Sequence, residues 1–190
     1  MSIIHTPWIH SIGSAIIAHA RMTSADPSLQ SKAVRALLDV VLTHLDQQAL
    51  LDESSFPYRL MANNHHSFVS FSHSKDCVAL IISPYPCGID VETRAISQAV
   101  AQRFFGQHEN ITLQAYPSDT QAIYRQILWQ LKEAWIKLHG GTLTQGMGVD
   151  FGQYVSDISP THSSQIKLSN GHQAFIHPSL QLSAIFRLDA

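Results

Sequence analysis

The chain has 190 residues, of which 45% are hydrophobic and only 14% are charged. This balance excludes a disordered tail and a charge-driven coiled coil, and the length suits one domain or two small halves sharing a core. With 12 Lys and Arg against 14 Asp and Glu, the net charge of −2 argues against a protein that coats nucleic acid.

Compartment is indicated by two features of the sequence. Cys77 and Cys87 are too few for a disulfide scaffold and suit a reducing compartment. The apolar stretch 8–20 lacks the basic start of a signal peptide and is too short to span a bilayer, so we expect buried strands there. These observations predict a cytoplasmic protein with neither a membrane nor a nucleic acid as partner.

The first predicted helix begins at Asp26, a good N-cap that precedes Pro27 in the first helical position. Apolar residues then recur at three- and four-residue steps, which predicts an amphipathic helix to about residue 48. Residues 49–66 are rich in turn formers and have no clear period, so we expect irregular structure there.

Three short segments follow that favour a sheet. Residues 67–72 alternate between polar and apolar side chains, which predicts a strand. A continuous apolar run, Cys77–Ser83, is followed by a turn at 84–86 and a second short run at 87–92. We interpret these two runs as a hairpin whose strands share one sheet.

The remainder of the chain mixes helices and short strands. Ser97 is predicted to cap a short helix that ends at Phe105, and Ser118 with Gln121 forms a capping-box pattern for a long helix over 119–139. Short β-prone runs separated by turn residues follow over 148–188. Strands and helices in this order predict an α+β fold rather than a parallel α/β fold.

Two carboxylates alternate with apolar residues in the segment Gly-Ile-Asp-Val-Glu. Side chains alternate faces along a strand, so Asp90 and Glu92 would lie on one face while Ile89 and Val91 enter the core. Such acids repel each other unless a cation lies between them, and carboxylate oxygens suit Mg²⁺. Taken alone, however, two acids at a strand end more often belong to a solvated surface.

The long helix carries a polar stripe. Trp129, Glu133 and Lys137 recur at four-residue steps and therefore share one helix face. By itself this pattern is also that of a surface ion pair, which contributes only about 0.3–0.5 kcal/mol. Ser72-His73-Ser74, after the first predicted strand, offers hydroxyl and imidazole groups that can bind a phosphate or simply satisfy a turn.

Together these motifs resemble those of the 4′-phosphopantetheinyl transferases. That family joins a Gly-Ile/Val-Asp-Ile/Val-Glu strand, here residues 88–92, to a Trp-x-x-Lys-Glu-Ala/Ser-x-x-Lys helix, here residues 129–137. Residues 72–74 match its Ser-His-Ser, and residues 103–105 with Glu109 match its Arg-Phe-Phe…Glu stretch. The length resembles the single-chain, two-half (Sfp-type) class.

The resemblance implies a fold, a domain division and an activity. The fold would be α+β with two similar halves related by a pseudo-twofold axis, residues 1–93 and 94–190, in a monomer with the active site between them. A holo-[acyl-carrier-protein] synthase type transferase would move the 4′-phosphopantetheine arm of coenzyme A to a serine of an apo acyl, peptidyl or aryl carrier protein. Adenosine 3′,5′-bisphosphate would be released, with Mg²⁺ as cofactor and Mn²⁺ as the alternative ion.

The same resemblance assigns roles to residues. Asp90, Glu92 and Glu133 would hold the metal ion against the coenzyme A pyrophosphate. Glu133 would also take the serine proton, and Lys137 would stabilise the leaving group. The residues assigned to coenzyme A are Ser72, His73, Arg35, Arg59, Asp90 and Lys137.

The departures from the family pattern concern residues that the resemblance assigns to coenzyme A binding. Ser70 stands where the family has asparagine, and its Gly-Lys-Pro segment is missing. We therefore expect the chemistry to be retained and the affinity for coenzyme A to be reduced. The resemblance also implies carriers that are acidic beside their serine, and Arg94, Arg103 and Arg125 are candidates to attract them.

Two other functions use the same residues. A Mg²⁺-dependent hydrolase of nucleotide or coenzyme A pyrophosphates would need the same acids and lysine, with water in place of the carrier serine. A non-catalytic protein that binds coenzyme A or a carrier is the third candidate, although the presence of Glu133 and Lys137 argues against it.

Overall fold

A computed structural model describes residues 2–24, 26–62, 65–142 and 146–188. Within these ranges the larger sheet has strands in the order β1-β2-β6-β5-β4-β3 and the smaller sheet has the order β7-β10-β9-β8. The strands of the larger sheet are β1 (Trp8–Ile12), β2 (Ala15–Arg21), β3 (Leu50–Asp52), β4 (Arg59–Ala62), β5 (His65–Ser74) and β6 (Cys77–Ser83). Those of the smaller sheet are β7 (Gly88–Val91), β8 (Ser164–Lys167), β9 (His172–His177) and β10 (Leu182–Arg187).

The helices lie between and after these strands. They are α1 (Gln30–His44), α2 (Gln98–Phe104), α3 (Gln107–Gln114) and α4 (Ser118–His139), with short 3₁₀ segments at Pro27–Leu29, Gly152–Asp157, Ser169–Gly171 and Pro178–Leu180. All the strand pairs are antiparallel. Antiparallel sheets combined with helices confirm the α+β prediction. No helix in the described ranges is long and apolar enough to cross a membrane.

Three apolar clusters hold together four layers, which are α1, the larger sheet, the smaller sheet and α4. On one face of the larger sheet, α1 packs through Val34 and Leu37 against strand residues such as Leu80. On the smaller sheet, α4 packs in the same way. The inward faces of the two sheets meet each other, for example at Ile17 and Ile89. Strand β6 lies in the middle of this stack, which explains why its apolar run is continuous rather than alternating.

The predicted hairpin between β6 and β7 is wrong. The two strands lie in different sheets, and β7 pairs along its length with β10 instead. Pro84 and Pro86 in the connecting segment have no N–H to donate, which disfavours a continued ladder. The chain therefore changes sheets between Ser83 and Gly88, whereas the division into halves after residue 93 remains a proposal.

Other local predictions are partly corrected. The region 49–66 contains β3, β4 and the start of β5. Strands β3 and β4 have only three and four residues, which is too short to show a period in sequence. Asn63 and Asn64, expected to be irregular, lie outside the described residues. Asp26 caps a 3₁₀ turn by accepting from the Ser28 amide at 2.9 Å, and α1 ends at His44, before the predicted residue 48.

The long helix is confirmed, but its predicted capping box is wrong. Helix α4 begins after Pro117, and no side chain caps its first turn. Gln121 instead donates from its side chain to the Tyr116 carbonyl at 2.8 Å. The helix ends at Gly140, whose φ of 64° is the left-handed conformation that glycine adopts most readily.

Candidate functional site

A row of serine hydroxyls joins the two sheets beneath the site. Ser70, Ser72 and Ser74 alternate along β5 and point toward β7. They accept hydrogen bonds from the backbone amides of Ile89 (3.4 Å), Val91 (3.1 Å) and Thr93 (3.1 Å), respectively. These side chains supply the partners that a neighbouring strand would supply, and they fix β7 against the larger sheet.

Asp90 and Lys137 form an ion pair over this row. The Lys137 Nζ donates to Asp90 Oδ1 at 2.9 Å, to the Ile89 carbonyl at 2.9 Å and to Ser72 Oγ at 3.0 Å. Ser72 Oγ in turn donates to Asp90 Oδ1 at 2.9 Å. The three ammonium protons and the Ser72 hydroxyl are therefore fully used within the protein.

Glu92 is held differently, by an arginine two residues along the chain. The guanidinium of Arg94 contacts both carboxylate oxygens, with Nη2 at 2.7 Å from Oε2 and Nε at 3.1 Å from Oε1. Ser74 Oγ donates to Oε1 at 2.7 Å. Burial acts to raise the pKa of Glu92, but the hydrogen bonds from Arg94 and Ser74 outweigh it and hold the pKa below its ordinary value.

Glu133 faces these two acids from α4. A Cβ added to Gly88 would lie 1.9 Å from the Ala134 carbonyl oxygen, so only glycine lets β7 approach the helix this closely. Within the described ranges the Glu133 carboxylate has no hydrogen-bond donor. Burial, followed by the negative charge of Asp90, raises the pKa of Glu133 above its ordinary value.

The three acids and Lys137 line one pocket of about 350 Å³. Its wall consists of Phe71, Ser72, His73, Asp90, Val91, Glu92, Arg94, Trp129, Glu133 and Lys137. A larger cavity of about 430 Å³ lies between the end of α1 and the β3 edge, but Asp39 is the one ionisable side chain on its wall. Chemistry rather than volume therefore singles out the smaller pocket.

The donor set of this pocket fits a hard divalent cation. Carboxylate oxygens are the ligands that Mg²⁺ prefers, and Asp90 Oδ2 and the whole Glu133 carboxylate have no donor among the described residues. The pKa of Glu133 is raised first by burial and then by the negative charge of Asp90, and a bound cation would offset the second of these causes. In the part of the chain described, no three such side chains already stand in a ligating arrangement.

The other residues predicted to contact coenzyme A lie at the wall of the pocket or outside it. His73 lies on the pocket wall, and burial, with Lys137 nearby, lowers its pKa. Arg35 is paired with Glu53 and lies 5.6 Å from the centre of the Phe71 ring, so it borders the pocket through that ring. The remaining arginine predicted to bind coenzyme A does not line the pocket.

That arginine is Arg59 on β4, whose guanidinium lies 5.7 Å from the centre of the Phe68 ring. Arg59 and Phe68 are paired residues on the neighbouring strands β4 and β5. Arg59 is not among the residues that line the pocket.

A buried ion pair beside the site was missed by the sequence reasoning. Lys132 and Glu109 are both fully buried, with Nζ 2.8 Å from Oε2. Lys132 also donates to the Met147 carbonyl at 3.0 Å, and Glu109 accepts from the Phe151 amide at 3.0 Å. The available signal was helical spacing, because Lys132 lies one turn after the core residue Leu128.

Two glutamines on α4 were also missed. Gln126 and Gln130 donate from their side chains to the main-chain carbonyl of Glu92, the latter at 3.3 Å. Gln130 Oε1 accepts from Ser183 Oγ on β10 at 3.1 Å. The helix is thus bonded directly to the strand end that carries the acids.

Comparison with known proteins places these features in a family context. The model of the 4′-phosphopantetheinyl transferase superfamily matches residues 86–187, just over half of the chain. The chain is 39% identical over 79 residues to the 4′-phosphopantetheinyl transferase psf-1 of Bacillus pumilus, which covers 41% of the chain and 34% of that protein. It is 40% identical over 76 residues to the 4′-phosphopantetheinyl transferase Sfp of Bacillus subtilis (strain 168), with 40% and 34% covered.

A third relative extends the comparison slightly. The 4′-phosphopantetheinyl transferase gsp of Aneurinibacillus migulanus is 33% identical over 95 residues, which are 50% of the chain and 38% of that protein. The chain therefore spans about a third of the length of the curated relatives it matches. The family-matched residues include the three pocket acids, Asp90 on β7, Glu92 directly after it and Glu133 on α4.

Proposed function

The chain belongs to the 4′-phosphopantetheinyl transferase superfamily, and from this premise we propose that it transfers the 4′-phosphopantetheine arm of coenzyme A to a carrier-protein serine. One observation carries the proposal: Asp90, Glu92, Glu133 and Lys137 come from distant parts of the chain and line one pocket. Acids for a divalent ion beside a cation for phosphate are the groups that phosphoryl transfer requires. The acceptor would be an acyl, peptidyl or aryl carrier in its apo form.

The proposed reaction breaks the phosphoanhydride bond of coenzyme A and forms a phosphate ester on the carrier serine. The carrier serine oxygen bonds to the β-phosphorus of coenzyme A, and the bond from that phosphorus to the bridging oxygen breaks. Adenosine 3′,5′-bisphosphate leaves with the bond electrons, and the serine proton passes to a base. Holding the two reactants in one pocket supplies much of the rate enhancement.

Glu133 is the proposed base. Its raised pKa makes it a better proton acceptor than an ordinary glutamate, and no donor within the described ranges blocks its oxygens. Lys137 is proposed to stabilise the leaving phosphate as a point charge. It would exchange one of its three internal hydrogen bonds for a phosphate oxygen.

Asp90, Glu92 and Glu133 would hold the metal ion, for which we propose Mg²⁺ with Mn²⁺ as the alternative. When bound, the ion would supply positive charge to the coenzyme A pyrophosphate. Asp90 brings to this task one oxygen, Oδ2, that has no donor among the described residues, whereas Glu92 must first be released by Arg94.

For coenzyme A itself, His73 is the wall residue best placed to meet a phosphate. Ser72 is committed to Asp90, Lys137 and the Val91 amide, so its part would be to hold that ion pair in place. Arg35 borders the pocket through Phe71, and Arg59 would have to act from outside it.

The whole chain is proposed to act as a monomer with the pocket between its two halves. Residues of β5 come from the first half, residues of α4 come from the second, and β7 lies between them. This arrangement supports the proposal because both halves contribute wall residues.

Intact mass measurement of an apo carrier tests the function. Incubated with the chain, coenzyme A and Mg²⁺, the carrier should gain about 340 Da, the mass of the transferred arm. Coenzyme A cleaved without a mass gain would indicate the pyrophosphate hydrolase instead. Coenzyme A bound but neither cleaved nor transferred, with each carrier class present in turn, would leave the non-catalytic binding protein.

A further inference from the structure

Glu92 differs from the other two pocket acids in having both oxygens occupied. Its Oε2 receives Arg94 Nη2 at 2.7 Å, and its Oε1 receives Ser74 Oγ at 2.7 Å and the Arg94 backbone amide at 2.8 Å. Among the described residues, Asp90 keeps one oxygen without a donor and Glu133 keeps two. A cation that binds all three acids must therefore compete with Arg94 for Glu92.

The Arg94 side chain can leave Glu92 at little energetic cost. The Arg94 side chain is 72% exposed, whereas that of Glu92 is 7% exposed. An exposed guanidinium recovers its hydration when it moves away, so its departure costs little. The buried carboxylate, by contrast, needs a positive partner at all times, because an unpaired buried charge is strongly unfavourable.

We propose that Arg94 competes with the divalent ion for Glu92 and thereby makes ion binding depend on coenzyme A. This inference rests on the proposed function, because it takes coenzyme A as the anionic co-substrate. The guanidinium contacts both oxygens of Glu92, so an ion that approaches this carboxylate meets a positive charge already bound to it. Once displaced, Arg94 is left as a positive charge at the wall of a pocket that has just gained a divalent cation.

Coenzyme A resolves this conflict. Its pyrophosphate brings negative charge to the pocket wall, where it can pair both with the ion and with the displaced arginine. Ion and coenzyme therefore strengthen each other's binding, and the linkage is reciprocal. Without the Arg94 side chain, Oε2 of Glu92 would be open to the ion from the start, and the ion would gain less from the coenzyme.

Calorimetric titration of Mn²⁺ into the full chain tests the competition. We expect Arg94→Ala to bind Mn²⁺ about tenfold more tightly than the wild type when coenzyme A is absent. Coenzyme A should also tighten Mn²⁺ binding by a smaller factor in Arg94→Ala than in the wild type, and we expect that factor to be at least tenfold smaller. Binding of Mn²⁺ to coenzyme A alone is measured separately and subtracted. Arg94→Lys keeps the positive charge but loses the contact with both oxygens of Glu92. Its Mn²⁺ affinity should therefore lie between those of the wild type and Arg94→Ala.

Arg187→Ala is the matched control. It removes one exposed arginine from β10, on the wall of a separate cavity, and should leave the Mn²⁺ affinity as in the wild type. The proposal is overturned if Arg94→Ala binds Mn²⁺ no more tightly than wild type. It is also overturned if Arg187→Ala tightens binding equally, since net charge would then explain the effect.

The two proposals fail separately. A wild-type chain that gives no mass gain on any apo carrier, while Arg94→Ala still tightens Mn²⁺ binding, would refute the transfer and support the competition. A wild-type chain that modifies its carrier, together with unchanged Mn²⁺ affinity in Arg94→Ala, would support the transfer and refute the competition.

Discussion

At the scale of single residues, Glu133 is the acid whose environment is least balanced. It is half-buried, has no donor within the described part of the chain and faces Asp90 across the pocket. Glu133→Gln should lower the rate of carrier modification by at least a factor of about 100, because it removes both an ion ligand and the base.

The fold should tolerate this change, since an uncharged side chain relieves the repulsion from Asp90. Thermal unfolding should therefore occur at the wild-type temperature or slightly above it. Asp119→Asn, which removes an exposed carboxylate from the first turn of the same helix, should modify the carrier at the wild-type rate. Equal rates for Glu133→Gln and Asp119→Asn would contradict the assignment.

Ser72 and Ser70 offer a matched pair on one strand. Ser72→Ala leaves the Val91 amide without its acceptor and releases Asp90 and Lys137, so we expect a loss of about 1–3 kcal/mol in unfolding free energy. Ser70→Ala loses only a 3.4 Å bond from the Ile89 amide. Urea unfolding and the modification rate should both be affected more by Ser72→Ala, and equal effects would argue against its positioning role.

At the scale of elements, the approach of β7 to α4 depends on Gly88. A methyl group there would lie 1.9 Å from the Ala134 carbonyl oxygen, so Gly88→Ala must push the strand away from the helix. We expect several kcal/mol of destabilisation and loss of modification activity, because Asp90 moves away from Glu133.

Gly106→Ala provides the comparison. A Cβ at that position would meet side chains rather than backbone, with Asp150 Oδ2 at 3.2 Å and Glu109 Oε2 at 3.6 Å. Its effect on the urea midpoint should be small. A Gly88→Ala variant as stable and active as Gly106→Ala would show that the strand and helix need not touch.

The buried Lys132–Glu109 pair ties α4 to α3. Lys132→Met leaves Glu109 buried without its cation and should cost about 3–5 kcal/mol, whereas Arg21→Ala, in an exposed pair with Asp76, should cost less than about 1 kcal/mol. The double variant Lys132→Met with Glu109→Gln should be less destabilised than the sum of its single changes. Strict additivity in urea unfolding would show that the two groups are not coupled.

How far the elements could be predicted depended on the length of each pattern. The 15 residues of α1 and the 22 of α4 show their period clearly, and so does the long strand β5. Strand β3 has only three residues, and no period can be read from so few.

The sheet change of β7 was missed because its partner β10 lies more than ninety residues further along the chain. The pocket acids themselves were recognisable as a motif. The hydroxyls and glutamines that orient them depend on contacts between distant segments, which local spacing does not encode.

At the scale of the whole molecule, the interface between the sheets contains a buried histidine whose ring nitrogen Nε2 has no hydrogen-bond partner among the described residues. His19 on β2 is 6% exposed, and burial, assisted by the positive charge of Arg21, lowers its pKa to about 4. The unfolded chain, with a histidine pKa near 6.5, binds the proton first as the pH falls. Stability is therefore full above about pH 6.5 and declines between pH 6.5 and 4, by up to about 3 kcal/mol.

His19→Leu isolates this contribution. Because the ring nitrogen Nε2 has no hydrogen-bond partner among the described residues, leucine should be tolerated at neutral pH. Urea unfolding at intervals from pH 7.5 to 4.5 should show a shallower loss of stability in the variant. An identical slope would show that other groups, such as His177, account for the acid sensitivity.

The spacing of the serines on β5 has one further consequence. Hydroxyls that recur every second residue would still find amides if β7 were to slide by two positions, so they cannot determine the alignment alone. After such a slide, a residue with a side chain would stand against the Ala134 carbonyl, where there is no room for one. The absence of a side chain at Gly88 therefore fixes the alignment of β7 and determines which carboxylates line the pocket.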